Sequence, residues 1–454
     1  FLPGRGRCGY GVVFHGEGMK RIAATIVVGG IALLFLFAPA FLYAVEYSLE
    51  DLCRIALDRS EKLRAAEENL VIAETSRDKA LSYLLPTLTA TAGLKQYSER
   101  KYTATGSVLQ PERASTWGIE AEETFSMSGR ELTALGISDQ NIDKSRLDLA
   151  AVREDYLLRY VVVAYFNVLM ARKNLEIAQA NLERLMKYRD AADKRLRIGE
   201  VTKTALLRAE GELSGAKSEL LQAQNGLELA RVVLASNVGI VGDFSLREAP
   251  QTLEEVPALH LFREQALATR ADLKSLEVQK QMAADQVKYA EGAFWPNISI
   301  SGVYAASDQH PATSNLNRES IYGGIALSFP FFEGGLRKAE VAEAKAKERQ
   351  AALNYDQLKR EIEIEVQSGY LDLVTQRGIL SFLDDQLKFA RENYRAVERQ
   401  FEFGLSTSLD VMDANTQLVS AERSLASAQY RYRLDLLRIQ KAVGTLLSAV
   451  AAAK

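Results

Sequence analysis

The chain has 454 residues, with 56 basic and 59 acidic side chains, a net charge of −3 and 47% hydrophobic residues. These proportions are typical of a globular chain of roughly two to three domains, and the near-neutral charge excludes the strongly basic surface that nucleic acid requires. Only 9 Pro, 3 His and 2 Cys occur, which argues against a Pro-rich scaffold, a disulfide-built fold, a zinc site and His-based catalysis. Because Ser, His and acidic residues also lack any catalytic spacing, we expect neither an enzyme nor a cofactor or metal site.

The amino terminus contains an export-type segment. Lys20 and Arg21 precede an uncharged run from Ile22 to Val45, which ends in small residues before a polar segment. This order predicts that residues 1–44 consist of upstream residues followed by an export signal, and that the signal is cleaved after Ala44. An uncleaved anchor is the alternative, because the apolar run is long enough to span a bilayer.

The rest of the chain is duplicated. A shift of 210 residues aligns the start of the two copies, and after a five-residue length change the shift becomes 205. The aligned pairs include Ala56 and Ala266, Leu63 and Leu273, Pro86 and Pro296, Gly129 and Gly334, Gly199 and Gly404, Ala209 and Ala414, and Leu213 and Leu418. We therefore predict two structural repeats, residues 45–250 and 251–450, each with a helix, a β-hairpin, a long helix, a tip near 199 or 404, and a return helix.

The helical parts show coiled-coil spacing. Apolar residues of the second copy are spaced alternately by three and four: Leu380, Leu383, Leu387, Ala390, Tyr394, Val397 and Phe401. Beyond Gly404, Leu alternates with Ala, which predicts closely packed helix pairs. From Gly129 to Gly199 the chain has no Pro and one internal Gly, so about 60 to 70 residues form a continuous helix of roughly 90 to 105 Å. A helix of that length indicates an elongated assembly.

Between the helices the period changes to two. Leu88, Ala90, Ala92 and Leu94 alternate with Thr, and Ile298, Ile300, Gly302 and Tyr304 alternate with Asn and Ser. This alternation predicts two hairpins, at about 87–128 and 297–333. Their four strands are each close to the ~9 to 11 residues that a tilted strand needs to cross a bilayer. Glu123 is an exception, because it falls on the apolar face. Four strands cannot close a pore and lipid forbids an open edge, so we expect three chains to share one barrel of about 12 strands.

Three local patterns lie at the repeat spacing. The run from Phe329 to Gly335 contains Pro330, Gly334 and Gly335 and connects the last strand to a long helix. The run from Phe401 to Ala414 spans the turn at Gly404, and a weaker copy from Leu196 to Ala209 spans the turn at Gly199. Together with the duplication and the strand hairpins, these patterns resemble the TolC-type outer-membrane efflux proteins over essentially the whole exported chain.

The resemblance implies a fold that is mainly α with membrane β. Duplicated long-helix hairpins would form a trimeric α-helical barrel, continued by a 12-stranded outer-membrane β-barrel with four strands per chain. The implied function is the exit duct of a tripartite efflux or type I secretion system, located in the cell outer membrane and extending into the periplasm. Its implied partners are two further copies of the chain, a periplasmic adaptor, an inner-membrane pump of RND or ABC type and outer-membrane lipid. It would conduct substrates passively, without chemistry.

The resemblance also assigns residues at the tips. Asp410 and Asp413 match the acidic ring at the periplasmic entrance of these channels, which favours cations and biases the gate. The alternative for Asp410 is helix capping, because Thr407 and Asp410 have capping-box spacing. Tip turns and adaptor contacts are implied at Gly199, Gly404, Lys203 and Ser406. The basic cluster at the first tip is expected to be solvated, with adaptor contact as the alternative: Lys194, Arg195, Arg197 and Lys203.

The tip also departs from the family pattern. Ala205 stands where an Asp is usual, Ser406 stands where an Arg can act as gate partner, and Phe401 replaces a hydroxyl-bearing aromatic. The usual bonds cannot form with these side chains, so we expect the gate to be looser or held differently.

Two other classes of protein share some of these features. A periplasmic adaptor has a helical hairpin, but a single one flanked by split β-domains. A structural coiled-coil protein has the heptads, but lacks the export signal and the strand pairs. The duplicated chain with membrane-type strands fits the channel better than either.

Overall fold

The computed structural model describes residues 45–248, 256–313 and 317–452, so the predicted export signal at 1–44 lies outside the described residues. The chain divides into two units. The described part of the smaller unit is a pair of short strands that contains Glu46 and residues 243–245. The larger unit, Tyr47–Gly242 and Leu246–Lys454, contains the helices, the longer strands and the turns discussed below.

The first copy consists of long helices on either side of a strand region. In chain order its elements are β1 (Val45–Tyr47), α1 (Leu49–Arg59), α2 (Glu61–Ser82), β2 (Thr87–Gln96), β3 (Lys101–Tyr102), β4 (Val108–Gln110), β5 (Arg113–Ser126), α3 (Arg130–Tyr156), a π-helical turn (Leu157–Val162), α4 (Val163–Arg197), α5 (Lys203–Val238) and β6 (Phe244–Leu246). The short β3–β4 hairpin lies in the polar stretch between the two longer strands.

The second copy follows the same order. Its elements are α6 (Leu259–Thr269), α7 (Ala271–Glu291), a 3-10 turn (Gly292–Phe294), β7 (Asn297–His310), β8 (Glu319–Ser328), α8 (Leu336–Glu402), α9 (Ser408–Ala442) and α10 (Leu446–Ala452). Helices α4 and α5 pack as one hairpin and α8 and α9 as another, while α3 packs against α2 and α7. The boundaries of the two repeats stay a prediction.

The predicted long helix is confirmed, because the chain is helical without a break from Arg130 to Arg197. The π-helical turn within it was not predicted. Its cause is a change of spacing: Ile142, Leu149 and Tyr156 are buried seven residues apart, and the next buried position on that face, Val161, comes five residues later. A π turn takes up the extra residue and keeps both apolar runs on one face. In the second copy, α8 is a single helix of 67 residues.

The heptad seam is also confirmed. In α8, the side chains of Leu380, Ala390, Tyr394 and Phe401 are buried, and the Ala and Leu positions of α9 oppose them from the other arm of the hairpin. Over the described residues, each helix is too short or too polar to cross a lipid bilayer.

The four long strands form one antiparallel sheet in the order β2-β5-β7-β8. The sequence predicted two separate hairpins, but β5 and β7 pair along their whole length, from Arg113 opposite His310 to Ser126 opposite Asn297. An isolated two-stranded hairpin is at best marginally stable, and this central pairing leaves two open edges instead of four. The sheet therefore joins the two copies of the duplication.

The sheet has one apolar and one polar face. Ala90 lies opposite Ile119, Ile119 opposite Tyr304, and Tyr304 opposite Ile321. Most Thr, Ser and Glu side chains lie on the other face, where Thr87 is opposite Glu122 and Glu122 is opposite Ser301, but Ser115, Asp308 and Glu319 lie on the apolar face at one end of the sheet. Large apolar side chains are strongly exposed in the single chain, with Leu88 at 75% and Ile321 at 82%.

Glu123 is the predicted exception to this pattern. It is opposite Ile300, so its carboxylate lies on the apolar face. Its Oε2 atom is buried and has no hydrogen-bond partner among the described residues.

Candidate functional site

The two hairpins end in turns of the same construction. Gly199 and Gly404 have φ values of +81° and +74°, in the left-handed region that glycine adopts without steric cost. The N–H of Glu200 donates to the carbonyl of Arg195 at 2.9 Å, and the N–H of Leu405 donates to that of Gln400 at 2.8 Å. Each turn thus closes its helix with the bond that typically accompanies a left-handed glycine.

Replacing Gly404 with Ala is expected to destabilise the protein by about 1 to 2 kcal/mol, because a Cβ disfavours the left-handed conformation. Gly226 is the matched control, because it lies inside α5 and no neighbouring atom comes within 4 Å of the place that a Cβ would take. Gly226→Ala is expected to stabilise the protein by about 0.5 to 1 kcal/mol. Denaturant midpoints in mild detergent measure both changes. Shifts in the same direction would contradict this account of the turn.

The second turn starts its return helix with a capping box. The carboxylate of Asp410 accepts hydrogen bonds from the Thr407 hydroxyl at 2.7 Å and from the Thr407 N–H at 2.8 Å. These two bonds hold the pKa of Asp410 below its usual value. In the first turn, Thr202 occupies the same cap position, but Ala205 replaces the acid and the Thr202 hydroxyl bonds to Thr204 at 2.7 Å. The helix-capping role that was the alternative for Asp410 therefore accounts for its contacts with Thr407. A role of Asp410 in the pore stays a prediction.

The other predicted tip residues differ in their environment. Asp413 and Lys203 are exposed, and neither makes a hydrogen bond or ion pair with the described part of the chain. Ser406 is half-buried, and its hydroxyl donates to the carbonyl of Val397 at 3.1 Å. Ser406 thus ties the turn to its own hairpin, whereas Asp413 and Lys203 remain available to other groups.

Arg195 connects the two turns. Its guanidinium lies 4.7 Å from the centre of the Phe401 ring, donates to the Phe401 carbonyl, and pairs with Glu200 at 2.8 Å. Its side chain is only 16% exposed, so the prediction of a solvated charge is wrong for Arg195. The reason is that a planar guanidinium can stack on a ring and satisfy its donors at the same time.

Tyr188 makes a second connection. Its hydroxyl bonds to the Ser408 hydroxyl at 2.6 Å, and its ring lies 5.2 Å from that of Phe401. Burial raises the pKa of Tyr188. Tyr188 of the first hairpin is therefore bonded to the first residue of α9 in the second hairpin.

Sequence reasoning missed Tyr188 and Arg195 as site residues. Tyr188 lies between Leu185 and Ala192 in the row of buried residues on α4. That spacing is the sequence feature from which its burial could have been predicted. No sequence feature distinguished Arg195 from the neighbouring cations.

A common core lies beneath the two turns. Its buried members come from all four hairpin helices: Leu185, Tyr188, Ala192, Ala209, Leu213, Ala216, Tyr394, Phe401, Val411, Met412, Ala414 and Leu418. The two hairpin ends therefore form one packed unit, to which Arg195 and Tyr188 add polar connections.

The strand-to-helix run lies away from the tips, between β8 and α8. Gly334 and Gly335 have φ values of +62° and +92°, and Gly335 is the N-cap of α8. Pro330 is half-buried, whereas Phe331 and Phe332 are 91% and 86% exposed. Two consecutive left-handed residues turn the chain sharply from the sheet into the helix.

In the described part of the chain, no group of three or more His, Cys, Asp or Glu side chains lies close enough together to hold a metal ion.

Comparison with known proteins agrees with this geometry. The model of the outer membrane efflux protein family matches residues 52–239 and 262–445. The chain is 24% identical over 410 residues to outer membrane protein TolC of Vibrio cholerae, covering 85% of this chain and 90% of TolC. It is 23% identical over 374 residues to outer membrane efflux protein BepC of Brucella suis, covering 78% of this chain and 80% of BepC.

The fold is similar to the crystal structure of CusC, with a TM-score of 0.78 and 19% identity over 88% of this chain and 93% of that one. The family match spans both copies of the duplication, from the first helices to the ends of the return helices. The chain therefore belongs to the outer membrane efflux protein family, and it is an outer-membrane protein.

Proposed function

We propose that the chain is the exit duct of a tripartite efflux or type I secretion system. Three copies would form a channel that passively conducts substrates from an inner-membrane pump, through a periplasmic adaptor, to the exterior. The observation that carries this proposal is the four-stranded sheet, which has an exposed apolar face and two open edges. Neither a periplasmic adaptor nor a structural coiled coil accounts for such a sheet.

The open edges require further strands. Strands β2 and β8 are the outer strands of the sheet, and each has 10 residues. In lipid, the unpaired backbone groups of these edges would each cost several kcal/mol, so a spanning sheet must close on itself. Pairing β2 of one chain with β8 of the next closes the sheet, and three chains supply about 12 strands, within the even-numbered range of outer-membrane barrels.

The helices carry a matching apolar stripe. On α8, exposed apolar side chains recur at intervals of 11 and 7 residues: Leu353, Ile364, Leu371, Phe382 and Phe389. Since 18 residues make five helical turns, these side chains lie on one line. On α5 the exposed apolar side chains include Leu207, Leu221, Leu229 and Val232. Contact between the α8 stripe of one chain and the α5 stripe of the next would bury both and close a helical barrel.

Replacing both Phe382 and Phe389 with Glu is expected to convert the trimer to monomers, because each interface would bury two unpaired carboxylates. Native mass spectrometry in mild detergent measures the change. Ser381→Glu adds a charge to the same helix beside the stripe and is expected to leave the trimer intact. A trimeric double variant would rule out the α8 stripe as the subunit interface.

Conduction through the tips is tested in planar bilayers. The wild-type protein is expected to show discrete conductance steps that divalent cations block, with Asp410 and Asp413 supplying the negative charge. Asp410→Asn combined with Asp413→Asn should weaken the block by about an order of magnitude, since it removes two charges per chain but keeps an oxygen that can accept the Thr407 bonds. An unchanged block would exclude these carboxylates from the pore, and trimers without conductance would contradict the channel.

Adaptor contact at Gly199, Gly404, Lys203 and Ser406 is supported by the position of the two turns at the ends of the hairpins. Lys203 is exposed at the first position of α5. A photo-crosslinker at residue 203 should capture a periplasmic adaptor in whole cells, whereas one at Thr105, in the turn between β3 and β4, should not. Capture of the same protein from both positions would contradict a specific contact at the tip.

A further inference from the structure

The first turn carries a cation where the second turn carries Asp413. The shift of 205 residues that aligns Gly199 with Gly404 also aligns Arg208 with Asp413. Thr202 and Thr407 are the N-caps of α5 and α9, so the two return helices begin at equivalent positions.

The buried faces of these two helices are also in the same rotational phase. Ala209 is 0% exposed and its counterpart Ala414 is 2% exposed, and Leu213 and Leu418 are both buried. Arg208 and Asp413 each precede the buried Ala by one residue, so each lies about 100° around its helix from that Ala. The two side chains therefore leave their helices at the same position relative to the shared buried Ala and Leu, although α9 buries a wider face that includes Met412, whose counterpart Leu207 is 54% exposed.

Both side chains are free to act on solutes. Arg208 and Asp413 are exposed, and neither makes a hydrogen bond or ion pair within the described ranges. The positive charge of Arg208 acts to lower the pKa of Tyr188. Burial of Tyr188 raises that pKa by more. A groove of about 410 Å³ between the turns is lined by Arg208 together with Thr407 and Ser408.

We propose that Arg208 sets the charge selectivity of the entrance. This inference rests on the proposed trimeric channel, in which three copies present six hairpin ends around the opening. Three of these ends carry Asp410 and Asp413, and the three ends between them carry Arg208, with Ala205 in the place of Asp410.

The consequence is a ring of mixed charge. A ring of carboxylates alone favours cations, whereas interleaved guanidinium groups cancel much of its potential within a Debye length of about 8 to 10 Å. The entrance then admits anionic and zwitterionic solutes as well as cations. On this proposal the entrance is less selective for cations than Asp410 and Asp413 alone would make it.

The test is the reversal potential of single channels under a KCl gradient. The wild-type channel should discriminate weakly between K⁺ and Cl⁻. Arg208→Gln should raise the permeability ratio of K⁺ to Cl⁻ by about 4- to 60-fold, because a ring of three charges about 10 Å from the ion shifts the energies of K⁺ and Cl⁻ by equal and opposite amounts, with and without salt screening. Asp413→Asn should lower the ratio. A double variant that swaps the two charges, Arg208→Asp with Asp413→Arg, should have a ratio close to that of the wild type.

Arg54→Gln is the matched control, since it removes the same charge from an exposed side chain of α1, outside the hairpin turns. It should leave the reversal potential unchanged. If Arg208→Gln channels open normally and keep the wild-type reversal potential, the inference about Arg208 is wrong while the proposed channel stands. If the wild-type trimer forms no channel, the proposed function fails and the inference fails with it.

Discussion

Replacing Arg270 with Met is expected to lower the free energy of unfolding by about 3 kcal/mol, because it leaves carboxylates without their cation in a largely buried site. The Arg270 side chain is 7% exposed and bonds to Asp272 through Nε at 3.0 Å and Nη2 at 2.6 Å. It also donates to Glu365 and to the carbonyl of Ala442. Arg270 thereby links the start of α7 to α8 and to the end of α9. Unfolding in mild detergent, followed by the loss of helical circular dichroism, measures the change.

The expected value is at the lower end for a broken buried ion pair, because the side chains of Asp272 and Glu365 remain 32% and 41% exposed. Lys441 also stays within 3.1 Å of Glu365. Arg54→Met is the control: Arg54 is 75% exposed and pairs with Asp51, and its loss should cost less than about 1 kcal/mol. Equal losses in the two variants would contradict a special role for the Arg270 site.

The same site predicts a loss of stability in acid. Burial raises the pKa of Asp272 and of Glu365, but the hydrogen bonds and charge of Arg270 outweigh it, so both values lie below the usual ones. A lowered carboxylate pKa contributes stability above the unfolded value, near 4, that is lost as the pH falls through the folded value. The denaturant concentration at the unfolding midpoint should therefore decrease as the pH is lowered below about 4. The decrease should be smaller in Arg270→Met. A variant with the acid dependence of the wild type would refute this assignment.

Replacing Arg195 with Ala is expected to loosen the tips and to raise the open probability of the channel by about 30- to 150-fold. The variant removes a charged hydrogen bond to the Phe401 carbonyl and a cation–π contact, together about 2 to 3 kcal/mol in a largely buried place. Amide hydrogen exchange at Gly404–Ser408 should accelerate by a similar factor. Both readouts report the same separation of the hairpin ends.

Arg197 is the matched control for Arg195, two residues along the same helix. Its side chain is 76% exposed and pairs only with Asp193 within the described structure, at 2.7 Å. Arg197→Ala should change neither gating nor exchange. Arg195→Lys should fall between wild type and Arg195→Ala, because an ammonium group keeps the charge but not the planar fork. Equal effects of the two Ala variants would show that the net charge of the tip, not the contact with Phe401, holds it closed.

The local periods of the sequence correctly predicted the elements that depend on neighbouring residues. The three-and-four spacing up to Phe401 predicted the buried seam of α8, and the absence of Pro between Gly129 and Gly199 predicted an unbroken helix. Alternation predicted which strand residues share a face, including the misplaced Glu123. Each of these patterns records which side of a helix or strand is buried, and that information lies within a few residues.

Contacts between distant parts of the chain could not be predicted in this way. Pairing of β5 with β7 joins residues 171 to 197 positions apart, and no residue in either strand specifies its partner. The sequence likewise treated Arg195 as one of four similar cations, although its contact with Phe401 crosses from one hairpin to the other.

The sequence by itself therefore determined the duplication, the long helices, the two glycine turns and the alternating strands. The tertiary structure alone decided that one sheet unites the two copies, that Arg195 and Tyr188 connect the tips, and that Arg270 joins three helices. The physical reason is that a repeat or a period is written in the spacing of residue types, whereas the environment of a single charge depends on what the fold places beside it. An exposed cation and a buried one carry the same letter in the sequence.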